Sequence, residues 1–113
     1  MEKWIRLGEF TCADPTREKE FNDFIDNVHI PNVLKAPGYV AVTRYAIKKP
    51  MYGRGKHLDM WEIESDDIDR TMAIRREMRK KEAEQEQFAI PGFLVSIWGD
   101  VLFKQISERV CSK

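Results

Sequence analysis

The feature of this sequence best suited to chemistry is a histidine at the predicted end of an amphipathic helix. His29 follows an apolar series spaced i, i+3, i+4, i+7 on one helix face, namely Phe21, Phe24, Ile25 and Val28. An unperturbed imidazole titrates near ~6.5, so it can act as an acid or a base near neutral pH. Asp26, about one turn back, could orient the ring. The alternative is a structural cap, in which a protonated imidazole interacts with the helix dipole.

A second set of candidate site residues alternates along strand-like segments: Arg6, Thr43, Tyr45, Glu62, Ser96 and Trp98. Tyr45 could donate its hydroxyl to a carbonyl or enolate oxygen, and Trp98 could stack on a flat ligand. Packing is the alternative for both aromatic residues, and it is the expected role of Trp61. Arg6 and Glu62 indicate either a site for an anionic or enolate oxygen or a structural ion pair, because buried charges are seldom left unpaired.

The remaining polar features favour neither a metal nor a phosphate site. His29 and His57 have no carboxylate or cysteine at ligand spacing, so we expect no metal. The basic loop 48–57 contains Gly-Arg-Gly, but no helix follows it as a phosphate-binding loop requires. The loop either steers an acidic substrate or is a solvated hairpin connection.

Length and composition place the chain among small globular domains. The 113 residues suffice for one domain, 1–113, with a single core. Lys+Arg and Asp+Glu balance at 19 each, which argues against a nucleic-acid partner. No apolar run approaches ~18 residues, so we expect no membrane span. The N-terminus alternates like a strand rather than a signal peptide, and Cys12 and Cys111 fit reduced thiols, so we expect a cytoplasmic protein.

The elements that must position these residues follow the order β-α-β-β-α-β. The alternation predicts strands over 4–12, 39–47, 57–64 and 93–103, and the helical spacing predicts helices over 15–29 and 66–88. Pro31 should end the first helix at His29, because proline disfavours helical geometry in the preceding residue. After Met78 the second helix has little to bury, so its end is a solvated extension or a contact with another subunit.

This order predicts an α+β, ferredoxin-like fold, a four-stranded antiparallel sheet with both helices on one face. We assign to the helices the more uniformly apolar side of each strand: Ile5, Leu7, Val40, Val42, Trp61, Ile63, Val95 and Ile97. The other side holds the six strand candidates together with Trp4, Phe10, Tyr39, Leu58, Met60 and Leu94. That mixture is too apolar for water and too polar for a core. We therefore expect a lined cavity that a second copy closes in a homodimer.

Two motifs resemble a known family. The run Phe21-x-x-Phe24-x-x-x-x-His29-x-Pro31-x-Val33-Leu34-x-x-Pro37-Gly38-Tyr39 resembles the helix-to-strand signature of the dimeric α/β-barrel superfamily, in its EthD-like branch. The segment 58–64 resembles that group's third strand, aliphatic-x-aliphatic-aromatic-Glu. The resemblance spans nearly the whole chain. It implies a homodimer with a small-molecule pocket between helix and sheet in each subunit and His29 at its rim.

Members of this group include polyketide cyclases, cofactor-free monooxygenases, lactone isomerases and haem-degrading enzymes. The first strand here lacks the Asn of the haem-degrading branch, and the second helix lacks its His. We therefore expect cofactor-independent acid–base chemistry (cyclisation, isomerisation or oxygenation) on an aromatic or polyketide-like oxygenated molecule. His29 and Tyr45 would be catalytic, and the substrate contacts would be Arg6, Thr43, Glu62, Ser96 and Trp98.

Two alternatives share this fold. One is a non-catalytic ligand-binding or accessory dimer with the same cavity. The other is a dimer whose interior is filled by its own side chains. A cavity of several hundred Å³ would favour the enzyme or the ligand-binding dimer over the dimer with a filled interior, because a small-molecule site needs that volume.

Overall fold

The computed structural model describes residues 1–113 and confirms the predicted order of elements. The strands and α-helices are β1 (Lys3–Cys12), α1 (Glu18–Phe24), α2 (Ile30–Leu34), β2 (Tyr39–Ala46), β3 (His57–Glu64), α3 (Ile68–Ala83) and β4 (Leu94–Lys104). Short 3-10 turns occupy Pro15–Arg17 and Glu86–Phe88. All strand pairs are antiparallel, in the order β2-β3-β1-β4. The fold is therefore α+β and ferredoxin-like, as predicted.

The first helical segment does not end at His29, contrary to the sequence prediction. A π-helical turn over Ile25–His29 joins α1 to α2, and helical geometry continues to Leu34. Pro31 cannot donate a backbone hydrogen bond, and in a regular helix its ring would clash with the carbonyl of Asn27. The wider turn, in which the amide of Ile30 bonds to the carbonyl of Ile25, accommodates the proline without breaking the segment.

Both helical layers pack on the same face of the sheet and form two core clusters. In one cluster Val33, Trp61 and Ile63 are almost fully buried, and Ile68 and Met72 of α3 pack against them. In the other, Phe21 and Ile25 pack on β1. Removing apolar side chains from water is the main force that holds these layers together.

The strand register corrects our assignment of the two sheet faces. Trp4 pairs with Ile63 and Arg6 with Trp61, so these side chains of β1 face the helices, while Ile5 and Leu7 face away. The same inversion holds in β4, where Val95 and Ile97 face away. It also holds at the start of β2, where Tyr39 is buried and Val40 is 53% exposed. The assignments of Val42, Trp61 and Ile63 to the helix side are confirmed.

The sheet face away from the helices is the open face. Its apolar side chains are Ile5, Leu7, Tyr45, Leu58, Met60, Val95, Ile97, Val101 and Phe103. Several of them are 39–49% exposed. This is a large apolar surface for a chain of this size. None of the helices is long and apolar enough to cross a membrane.

Candidate functional site

A cavity of about 380 Å³ lies between the sheet and the helices. β1, β3 and β4 form its floor, and the π-helical turn and α3 form its roof. Its polar and charged lining includes Arg6, His29, Asp59, Arg75, Ser96 and Asp100. Trp61 and Trp98 supply aromatic surface. The volume and the mixture of aromatic and convergent polar groups are typical of small-molecule sites.

His29 enters the cavity from the π-helical turn. Its ring lies 6.1 Å from Trp61, edge to face, and 6.4 Å from Phe24, nearly parallel. Burial is the main reason that the pKa of His29 is lowered to about 4, and the positive charges of Arg75 and Arg6 contribute in the same direction. The imidazole is therefore neutral at physiological pH. A neutral ring can accept a proton or a hydrogen bond from a ligand.

Four arginines line the cavity, namely Arg6, Arg75, Arg76 and Arg79, and two of them are held by partners within the protein. Arg75 of α3 is 3% exposed and donates two hydrogen bonds to the carboxylate of Glu82, at 2.7 and 2.9 Å. Arg6 donates to the hydroxyl of Tyr39 at 3.1 Å and lies 3.5 Å from Asp100. Its guanidinium is also 5.7 Å from the ring centre of Trp61. Arg6 remains at the cavity surface, where it can face a ligand oxygen.

Asp59 of β3 is a buried carboxylate at the floor of the cavity. It is 4% exposed, and its Oδ1 atom has no hydrogen-bond partner. The guanidinium of Arg44 approaches to 3.9 Å, which is longer than a hydrogen bond. Burial raises the pKa of Asp59 to about 6, although Arg44 and Arg6 act in the opposite direction.

Glu9 fixes one side of the cavity. It is buried, and it accepts hydrogen bonds from Trp98 Nε1 at 2.6 Å, Arg54 Nε at 2.9 Å and the backbone amide of Gly55 at 3.1 Å. The hydrogen bond from Arg54 is the main reason that the pKa of Glu9 is lowered. One carboxylate thus ties the loop between β2 and β3 to the indole that lines the cavity.

An irregularity in β4 shapes the same wall. Opposite Gly8, the pairing of β4 with β1 skips Gly99 and Asp100, and Asp100 adopts a positive φ of 58°. Aspartate tolerates this left-handed conformation better than most residues. The bulge places Asp100 beside Arg6, and such bulges are frequent next to functional sites.

The comparisons with known proteins support the architecture. HapK from Hahella chejuensis superposes with a TM-score of 0.60 over 100% of both chains, at 11% sequence identity. An ethyl tert-butyl ether D (EthD) family protein from Bacillus halodurans superposes with a TM-score of 0.52 over 94% of this chain and 100% of that chain, at 14% identity. The fold is EthD-like. No family model and no curated protein matches the sequence.

The EthD-like fold separates the predicted site residues into two groups. Arg6, His29, Ser96 and Trp98 line the cavity between sheet and helices. Thr43, Tyr45 and Glu62 lie on the open face, because they pair in register with Met60, Leu58 and Ile5. The prediction that one face of the sheet carries all the strand candidates is therefore wrong.

Two pairings that the sequence suggested also do not form. Arg6 contacts Asp100 rather than Glu62. Asp26 accepts a hydrogen bond from Arg44 at 2.8 Å, so it does not orient His29.

Sequence reasoning missed Asp59 and Glu9. The sequence did contain a signal for Asp59. This residue lies on the same face of β3 as the apolar Trp61 and Ile63, and an acidic residue is rarely buried in such a row. Glu9 had no comparable signal. Its role depends on Arg54 and Trp98, which lie 45 and 89 residues away along the chain.

Proposed function

We propose that this protein is a small-molecule enzyme that carries out cofactor-independent acid–base chemistry on an oxygenated aromatic or polyketide-like substrate. The substrate occupies the cavity between sheet and helices and stacks on Trp98. Its carbonyl or enolate oxygen faces Arg6, and His29 accepts a proton. The reaction class is enolisation, as in a cyclisation or an isomerisation, or activation of an enolate toward oxygen.

One observation carries this proposal: a neutral imidazole and a guanidinium share a 380 Å³ cavity with aromatic walls. In an enolisation, the C–H proton moves to His29, the electron pair of that bond forms the C=C bond of the enolate, and the π pair of the C=O bond passes to the oxygen. The new negative charge then lies beside Arg6. Positive groups fixed where charge develops stabilise a transition state in a site of low dielectric.

The alternative is a ligand-binding protein with the same cavity. The pKa of His29, about 4, favours this alternative, because an imidazole with such a low pKa is a weak base. The third possibility, an interior filled by the protein's own side chains, is disfavoured by the cavity volume.

The homodimer belongs to the same proposal. The open face would pack against the open face of a second copy, and Thr43, Tyr45 and Glu62 would then lie in the interface rather than in the cavity. An obligate interface of this kind buries on the order of 2,000 Å² or more.

Exchange of hydrogen for deuterium tests the proposed chemistry. The probe is 2-tetralone, a bicyclic ketone with acidic C–H bonds next to its carbonyl, followed by NMR in D2O. The wild type should accelerate exchange, and His29→Gln should reduce the acceleration by about 10²–10⁴-fold, the range typical of acid–base catalysis. Gln keeps a polar side chain but cannot take up the proton.

His57→Gln is the matched control. His57 is the other histidine of the chain, and it packs against Phe10 and Phe21 outside the cavity lining. Its substitution should leave exchange unchanged. Exchange that is equally fast in the wild type and in His29→Gln would exclude His29 as the base. Binding of 2-tetralone without accelerated exchange would favour the ligand-binding alternative.

A further inference from the structure

Asp59 lines the cavity, and one of its carboxylate oxygens, Oδ1, is buried without a hydrogen-bond partner. A buried carboxylate oxygen without a hydrogen bond carries a desolvation cost, so such atoms are rare in folded proteins. Arg44 does not remove this cost, because its Nη atoms bind Asp26 at 2.8 Å and Asn22 at 2.9 Å instead. The carboxylate of Asp59 thus has capacity for a further donor, which would approach it from the cavity side.

The floor of the cavity leaves space beside this carboxylate. Asp59 pairs in register with Gly8 on β1, and glycine contributes no side chain on the side where Asp59 points. The residues flanking Gly8 on the same face are Arg6 and Phe10, both of which are large. Gly8 and Asp59 both line the cavity, and a Cβ added at Gly8 would lie 3.4 Å from Cα of Gly99 in the β4 bulge.

Four charged or titratable groups surround Asp59. Arg44 of β2, Arg6 of β1 and Asp26 of the π-helical turn act on its charge, and His29 of the same turn lines the same cavity. A donor on a ligand would meet the carboxylate on one side, and the oxygen that carries this donor could face Arg6. This combination of an acceptor and a nearby cation suits a hydroxyl group that is about to lose its proton.

We propose that Asp59 binds the hydroxyl group of a phenol or enol ligand in this cavity and serves as the acceptor of its proton. This inference rests on the proposed function and extends it, since it identifies the substrate, or the intermediate formed from it, as a hydroxylated planar molecule. In the step, the ligand O–H bond breaks and its electron pair stays on the ligand oxygen. The proton forms a new O–H bond on the carboxylate of Asp59, and the ligand oxyanion lies near Arg6. Asp59 is then a neutral acid that can return the proton.

The probe for this role is 2-naphthol, compared with 2-methoxynaphthalene, which has the same rings but no hydroxyl proton. Asp59→Asn should lower the affinity for 2-naphthol about tenfold or more, the effect of losing a hydrogen bond to a charged group. The affinity for 2-methoxynaphthalene should stay within about twofold, because neither protein can receive a proton from it.

Fluorescence gives a readout that a purely structural role would not change. Excited 2-naphthol is a strong acid and transfers its proton to a neighbouring carboxylate, after which it emits as naphtholate. The complex with the wild type should emit mainly as naphtholate, and the complex with Asp59→Asn mainly as naphthol. Acidification of the wild-type complex through the pKa of Asp59, about 6, should suppress naphtholate emission in the same way. This measurement needs no variant, so it decides the question even if Asp59→Asn fails to fold.

Asp26→Asn is the matched control. Asp26 contacts the same guanidinium of Arg44 but lies at the surface, outside the cavity lining. The Asp26→Asn variant should bind 2-naphthol like the wild type and give the same emission. If Asp26→Asn weakens 2-naphthol binding as much as Asp59→Asn, the effect passes through Arg44 and the role of Asp59 is overturned.

The remaining outcomes separate this inference from the proposed function. Equal affinity and equal emission in the wild type and Asp59→Asn overturn the role of Asp59, while binding of both naphthalenes still supports an aromatic ligand site. Failure of both compounds to bind the wild type overturns this inference and the proposed function together. Loss of accelerated 2-tetralone exchange in His29→Gln, with unchanged 2-naphthol emission, supports separate roles for the two residues.

Discussion

His29 and Asp59 line one cavity with pKa values displaced in opposite directions. Burial lowers the pKa of His29 to about 4 and raises that of Asp59 to about 6, so the usual order of an imidazole and a carboxylate is reversed. Both residues are shifted toward their neutral forms, as expected where water is excluded. Sequence analysis places a titration near neutrality at His29. In the structure, Asp59 is the one of these two residues that titrates closer to neutrality.

The reversed order predicts a characteristic pH dependence of stability. The folded state binds fewer protons than the unfolded state at His29 between pH 4 and 6.5, so this residue makes the free energy of unfolding rise with pH. The folded state binds more protons at Asp59 between pH 3.8 and 6, so that residue makes it fall. Each effect is on the order of 3 kcal/mol, and in the wild type they largely cancel.

Single variants should expose each contribution in urea denaturation at pH 4, 5, 6 and 7. Relative to the wild type, Asp59→Asn should gain stability as the pH rises through this window, because only the His29 contribution remains. His29→Gln should lose stability over the same range. Parallel curves for all three proteins would contradict the reversed order.

At the scale of elements, the π-helical turn and the β4 bulge place the cavity groups. The turn lets the chain pass Pro31 without ending the segment, and it puts His29 over the sheet. The bulge at Gly99 and Asp100 positions an acid beside Arg6. Both irregularities carry residues of the site, as is common for π-helical turns and β-bulges in proteins.

Gly38 connects the first helical segment to β2 at a point where three elements meet. Its φ is 90°, and an added Cβ would lie 3.0 Å from the carbonyl oxygen of Glu64 and 3.3 Å from Cγ2 of Thr71. Gly38→Ala should therefore lower the free energy of unfolding by about 2–4 kcal/mol, from the backbone conformation and the clash together.

Gly53→Ala separates these two causes. Gly53 also has a positive φ, 76°, but an added Cβ would meet nothing within 4 Å. Its substitution should cost only about 1–2 kcal/mol, the conformational part. Thermal unfolding followed by circular dichroism compares the two variants. Equal losses would mean that the contacts with Glu64 and Thr71 add nothing.

At the scale of the whole molecule, one sheet separates two apolar environments. The helix side holds the core clusters and the cavity, and the open face exposes Tyr45, Ile97 and Phe103 among others. An apolar face of this extent indicates a partner surface. In the proposed homodimer each subunit keeps its own cavity, since the cavity lies on the side away from the interface.

Sedimentation velocity tests this assembly. The wild type should sediment as a dimer at micromolar concentration, and Met60→Glu should shift it to the monomer, because a charge buried in an apolar interface costs several kcal/mol. Met60 lies inside the open face, paired with Leu7 and Thr43. Ala73→Glu, at an exposed position of α3, is the control and should leave the dimer intact. A monomeric wild type would overturn the homodimer.

The sequence by itself determined the fold class, the order of elements and the helix that carries His29. Periodicity and turn residues are local, and they set strands and helices within a few residues of their observed bounds, with 57–64 matched at both ends. Arg6, His29, Ser96 and Trp98, which line the cavity, could also be named in advance as candidates, because polar and aromatic side chains in otherwise apolar rows are conspicuous.

Only the tertiary structure decided which face of each strand the helices cover. Alternation has a period of two, so it divides a strand into two faces without stating which layer packs on either. In β1 and β4 the more uniformly apolar side lies on the open face, and the mixed side surrounds the cavity. Tyr45 therefore lies on the open face rather than in the cavity, and Asp59 lines the cavity although the sequence analysis did not name it. The environment of a side chain depends on contacts that are distant in sequence.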